Sequence, residues 1–160
     1  MDSSSLQGMY FGLTEGTVTT MGIIIGMMAS LPMKKAIFSA VIAATLSDSF
    51  GDSIGIYYSE EATGRTEGIN AVKNMVFFKV LMACLYLAPL LLIKKLKTGI
   101  YTSIILAFIV ISISFYNLAQ LKEINTTEFV IKNTVAVSIV ILITYYIVNT
   151  IEKFFTPLNI

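Results

Sequence analysis

Three carboxylates stand inside apolar stretches of this 160-residue chain: Glu15, Asp48 and Asp52. An ionised carboxylate at the centre of a bilayer costs at least about 2.5–3.5 kcal/mol on insertion scales, so such a residue points to function. Asp48 and Asp52 are separated by one helical turn and share a helix face. Glu15 lies about six residues into its apolar block, roughly 9 Å deep at about 1.5 Å per residue. Asp52 lies about six residues before the end of the next block. If the two helices are antiparallel, it reaches the same depth from the same face. Asp48 falls one turn further in. The spacing therefore predicts a short ladder of carboxylates running inward from one surface.

Oxygen ligands of this kind suit hard and borderline divalent cations, while thioethers favour softer metals. Thr14, Thr17, Thr19, Thr20, Ser49 and Ser53 surround the acids, and Met21 is less than two turns beyond Glu15. The mixture suits Fe²⁺ or Mn²⁺ better than Ca²⁺ alone, with Glu15, Asp48 and Asp52 as the candidate metal ligands and no tightly bound cofactor expected. Glu60, Glu61 and Glu67 follow the second block on the same face and could gather cations at its mouth. The bland alternatives are that Glu15 is a boundary residue of a span starting near Val18, that Asp48 is a protonated packing residue, and that the three glutamates are a solvated loop. The chain has no histidine, which removes the commonest general base and the commonest zinc ligand. No nucleophile–base pair or cofactor motif is visible, so an enzyme is not expected.

Small residues accompany the acids. The first block carries Gly8, Gly12 and Gly16 at four-residue spacing, then Gly22 and Gly26, and the second carries Ser47, Gly51, Gly55 and Ser59. Rows of this kind allow close approach of backbones between helices or subunits. A non-transporting membrane scaffold, held together by these glycines, is the competing functional reading.

The elements that must position these residues are membrane helices. The chain is 56% hydrophobic and only 13% charged, with a mean hydropathy of +0.80, against the roughly one quarter charged of a soluble domain. The apolar residues gather in five long blocks, about 9–31, 36–58, 75–93, 100–118 and 135–151. Each approaches the about 20 residues needed to span. The expected fold is an all-α integral membrane domain over residues 1–160, with five transmembrane helices in a dimeric bundle. Leu31 and Pro32 close the first block. Lys79 is the one charge in the last three blocks, near enough to an end of its block to reach the interface. The net charge of +1 and the lack of a basic stripe give no reason to expect nucleic acid as a partner. Met1 to Tyr10 lacks a basic n-region, so the first block is expected to remain as a helix. The lysine distribution weakly places the N-terminus outside the cytosol. Cys84 and the methionines read as apolar filler.

Two stretches resemble a known family. Gly12-Leu-Thr-Glu-Gly-Thr-Val-Thr-Thr-Met-Gly22 is similar to the first-helix motif of vacuolar iron transporter-like proteins, close to G-x-[ST]-D-G-x-[VT]-[TP]. Leu46-Ser-Asp-Ser-Phe-Gly-Asp-Ser-Ile-Gly-Ile-Tyr-Tyr-Ser-Glu-Glu-Ala62 resembles their second-helix motif. The match covers roughly the first 62 residues. It implies a multi-pass homodimer that moves Fe²⁺ or Mn²⁺ out of the cytosol in exchange for protons, with a cytosolic N-terminus and a pathway near the dimer interface. Glu15 takes the place of the first-helix aspartate, and Asp52 stands at a pathway position occupied by methionine in plant members. The chain departs from those members in lacking a long glutamate- and methionine-rich domain between the second and third helices, since Ser59 to Asn74 cannot hold one.

Overall fold

A computed structural model describes residues 2–30 and 33–155, with the side chain of Phe155 excluded. Among these residues the chain forms five helices: α1 (Ser3–Ser30), α2 (Lys34–Ala62), α3 (Gly68–Leu92), α4 (Leu96–Leu121) and α5 (Thr126–Phe155). The expected stop of the first helix at Leu31 and Pro32 lies outside the described residues.

The helices outrun the apolar blocks. α3 begins at Gly68 rather than near Met75, and α5 at Thr126 rather than near Val135. Hydropathy marks only the part of a helix that faces apolar surroundings, whereas the backbone hydrogen-bond ladder continues through polar residues until a cap or turn stops it. Two such stops are explicit. At the end of α2, Arg65 N–H donates to Glu60 O and Gly64 N–H to Glu61 O, with Gly64 at φ 73°. At the end of α4, Ile124 donates to Ala119 O and Glu123 to Gln120 O, with Glu123 at φ 53°. Both are Schellman closures, which need a left-handed residue just past the helix. The first uses glycine, and the second places glutamate in a region that L-residues avoid.

Four helices are long and apolar enough to cross a membrane: α1, α3, α4 and α5. This corrects the expectation of five. Although α2 has 29 residues, its length is diluted by Lys34, Lys35, Asp48, Asp52, Glu60 and Glu61 together with serines and glycines. Large apolar side chains nevertheless project outward from it, including Leu46, Phe50 and Ile54.

α1 is the centre of the bundle. It packs on all four other helices and most extensively along α3. α2 lies on α1 and α3, while α5 lies on α1 and α4. The apolar core joins Met21, Ile24 and Ile25 of α1 to Met82, Tyr86 and Leu90 of α3 and to Ala107 and Ile111 of α4. Close approach of α1 to α3 comes from its glycines. A Cβ on Gly8 would lie 2.0 Å from Ala71 O, one on Gly12 2.3 Å from Met75 O, and one on Gly16 3.0 Å from Lys79 Cα. At Gly8 and Gly12 only hydrogen leaves room for the backbone of α3, and at Gly16 a Cβ would be tight. This contact sets Lys79 opposite Gly16.

Candidate functional site

Lys79 decides the geometry of the acids. Because α3 starts at Gly68, Lys79 is near its middle and not near an end. Its side chain is 1% exposed, so it does not reach the interface as its position in the apolar block had suggested. An ammonium so placed must be satisfied by buried partners. Its Nζ lies 2.5 Å from Glu15 Oε2 and 2.6 Å from Asp52 Oδ2, to which it donates a hydrogen bond, and 3.8 Å from Asp48 Oδ2. One lysine from α3 thus gathers a glutamate from α1 and two aspartates from α2.

The carboxylates differ in their surroundings. Thr19 donates to Glu15 Oε1 at 2.6 Å across one turn of α1. Glu15 Oε2 is shielded from solvent and meets no donor at hydrogen-bonding angles, so the charge of Lys79 is what it faces. The side chains of Glu15 and Asp52 are about one quarter exposed, and that of Asp48 is 40% exposed. Asp48 is therefore the most exposed and most loosely held of the three. Three carboxylates against one ammonium leave two formal negative charges when all are ionised.

Among the described residues no group of three or more histidine, cysteine, aspartate or glutamate side chains is arranged to hold a metal ion. The oxygens of Glu15, Asp48 and Asp52 converge on an ammonium instead. Sequence reasoning missed Lys79 as part of this site. The available signal was the polarity of Val72–Asn74, which could have been read as helix and would have moved Lys79 inward.

The three glutamates beyond α2 have separate fates. Glu60 is 1% exposed; it accepts a hydrogen bond from Ser4 Oγ and pairs with Arg65 at 3.1 Å. It ties the end of α2 to the start of α1 and is not a solvated residue at a mouth. Glu61 is exposed. Glu67 is exposed, and the negative charge of Asp2 raises its carboxyl above the ordinary range. Asp2 itself is held low because Ser5 N–H donates to its carboxylate at 2.6 Å, which caps α1.

The glycines also divide. Gly12 and Gly16 pack on α3, and Gly26 would set a Cβ 3.5 Å from Val148 of α5, an ordinary contact. Gly22, Gly51 and Gly55 have nothing within 4 Å of a Cβ. Within one chain, then, the row on α2 packs against nothing.

Glu15 and Thr19 also line a half-open cavity of about 860 Å³ between α1 and the last turn of α4. The cavity extends along α1 from Ser3 to Thr19, with Arg65 and Lys122 among its lining residues. It connects the outermost turn of the bundle with one edge of the charged cluster. No protein-family model, curated protein or solved structure matches the chain.

Proposed function

We propose that the protein is a multi-pass, proton-coupled divalent cation transporter that carries Fe²⁺ or Mn²⁺ out of the cytosol. The observation that carries this reading is the convergence of Glu15, Asp48 and Asp52 on one buried ammonium between three helices. Intramembrane acids of this kind are costly unless they serve an ion. Their excess of two negative charges suits a divalent ion competing with Lys79 for the same oxygens. Burial favours the protonated carboxyl and a bound cation favours the ionised one, so protons and metal oppose each other at one site. In this reading the aspartates of α2, the helix outside the four apolar spans, are compensated by Lys79. The resemblance of the first two helices to vacuolar iron transporter-like proteins supports the choice of metal and of proton exchange. The unpacked row of Gly51 and Gly55 supports a homodimer formed through α2.

Proteoliposomes holding the purified protein should accumulate Fe²⁺ or Mn²⁺ when a pH gradient is imposed. Glu15→Gln and Asp52→Asn should each reduce the initial rate at least about tenfold, the effect of losing roughly 1.4 kcal/mol of site stabilisation. Full activity in both variants would refute the assignment.

A second reading is supported by the same ion pairs. Lys79 ties α1, α2 and α3 together, as a non-transporting scaffold would require. In that case metal leaves the thermal stability of the protein unchanged, whereas a ligand that binds only the folded state raises it.

A further inference from the structure

We infer that the cavity between α1 and the end of α4 is a binding site for an anionic membrane lipid, with the headgroup phosphate at Arg65 and Lys122 and one acyl chain along α1. The inference is independent of cation transport and needs only that the helices lie in a bilayer.

The cavity has two chemically different ends. At the outer end are Arg65, in the turn after α2, and Lys122, the C-cap of α4. Both are exposed, and both stand where helices end, which is the headgroup level of a spanning bundle. Arg65 spends one guanidinium nitrogen on Glu60 and Gln7, at 3.1 Å and 3.0 Å, and this fixes its position while its other nitrogen and Nε keep their donors. Lys122 has no ion pair among the described residues. Basic pockets at the ends of transmembrane helices are the usual receivers of anionic headgroups, because each cation near the surface is worth about 1 kcal/mol of attraction.

Inward from this rim the walls become apolar. Leu6, Tyr10, Phe11 and Val18 of α1 and Leu118 and Leu121 of α4 line the cavity, with Thr14 among them. A gap of about 860 Å³ at this depth must hold either lipid or water, and apolar walls favour the former. The acid at the inner end does not oppose a chain. Glu15 Oε2 is buried against Lys79, and Oε1 accepts from Thr19, so both oxygens are already engaged. The volume lies within the range of pockets that enclose most of a small organic ligand, about 300–1,000 Å³.

The test is thermal melting of the purified full chain in a neutral detergent. The additives are a long-chain phosphatidylglycerol, a phosphatidylcholine of the same chains, and inorganic phosphate. Phosphatidylglycerol at about 100 times its Kd should raise Tm by about 5–10 °C. Phosphatidylcholine and inorganic phosphate should give less than a third of that. Lys122→Glu should abolish the preference for phosphatidylglycerol and leave the unliganded Tm in place, because the Lys122 side chain makes no ion pair among the described residues. Leu118→Trp, which fills the gap from the α4 side, should remove the shift while keeping the rim charges. Equal shifts from both lipids, a full shift from phosphate alone, or an unchanged preference in Lys122→Glu or Leu118→Trp would each overturn the site. Loss of metal transport in either variant has no bearing on these outcomes.

Discussion

The glycine row of α1 and the glycine row of α2 share a four-residue spacing and an adjacent acid, yet they meet different surroundings. Gly8 and Gly12 lie against the backbone of α3 at distances that no Cβ could occupy, and Gly16 at a distance that a Cβ would find tight. Gly51 and Gly55 face open space. The starts of the two helices differ in the same sense. α1 is capped by the carboxylate of Asp2, while Met33 at the start of α2 makes no side-chain cap. One helix is built into the bundle along its length, and the other buries Ile37, Val41 and Ile56 in the core and adds the pairing of Asp48 and Asp52 with Lys79. The difference teaches that a row of small residues indicates close approach without naming the partner, which another helix of the chain or another molecule can supply equally well.

The largest effect that would test this contrast is Gly12→Leu. The new side chain begins 2.3 Å from Met75 O, so α1 and α3 must separate and carry Lys79 away from Glu15. A loss of about 3 kcal/mol or more is expected, read as failure to give a monodisperse protein or as a steep fall in Tm. Gly51→Leu should change the stability of the isolated chain by no more than about 0.5 kcal/mol. If α2 is the dimer face, Gly51→Leu should also turn dimer into monomer by light scattering. A severe fold defect in Gly51→Leu, or a mild one in Gly12→Leu, would break the contrast.

A second, smaller effect concerns how α2 is attached. Lys79→Met removes the ammonium and leaves carboxylates on α1 and α2 without a counter-charge. Breaking a buried pair costs about 3–5 kcal/mol, and the partial exposure of the three acids reduces this to roughly 2 kcal/mol. Adding Asp52→Asn and Glu15→Gln to Lys79→Met should recover most of that loss, measured as a thermodynamic cycle in Tm or denaturant midpoint. Recovery would show that charge pairing is what attaches α2, and lack of recovery would move the attachment to its apolar contacts.

The smallest effect is pH-dependent and belongs to the cap of α1. Asp2 has a carboxyl lowered from its ordinary value of 3.8, chiefly by the N–H of Ser5. A lowered acid contributes stability that is fully present above the ordinary value and is lost as pH falls through the lower folded value. Asp2→Asn keeps a capping oxygen but cannot titrate. The difference in Tm between wild type and Asp2→Asn should therefore vary between about pH 5 and pH 2 and be flat above it. It should also return Glu67 toward the ordinary carboxylate range, since Asp2 is the main cause of its rise.

Much of the bundle was legible because it follows from local chemistry. The five apolar blocks marked five helices, since an apolar run approaching about 20 residues has few alternatives. The boundaries were less legible. Lys73, Asn74, Lys132 and Asn133 are helical despite their polarity, because hydropathy records the surroundings of a helix and not its hydrogen bonding. That single misplacement put Lys79 near an end and hid its role. The acids were visible as charges inside apolar blocks, and the i, i+4 relation of Asp48 and Asp52 was fixed by helix geometry alone.

The sequence by itself determined which charges had to be accounted for: Glu15, Asp48 and Asp52 in blocks one and two, and Lys79 in block three. Only the tertiary structure decided that they account for one another. The reason is steric. Glycine at positions 8, 12 and 16 brings α1 close enough to α3 for an ammonium on one backbone to reach a carboxylate on the other, and α2 then docks on both. Helix periodicity gives the face on which a residue stands, and it carries no information about which of four neighbours that face will meet.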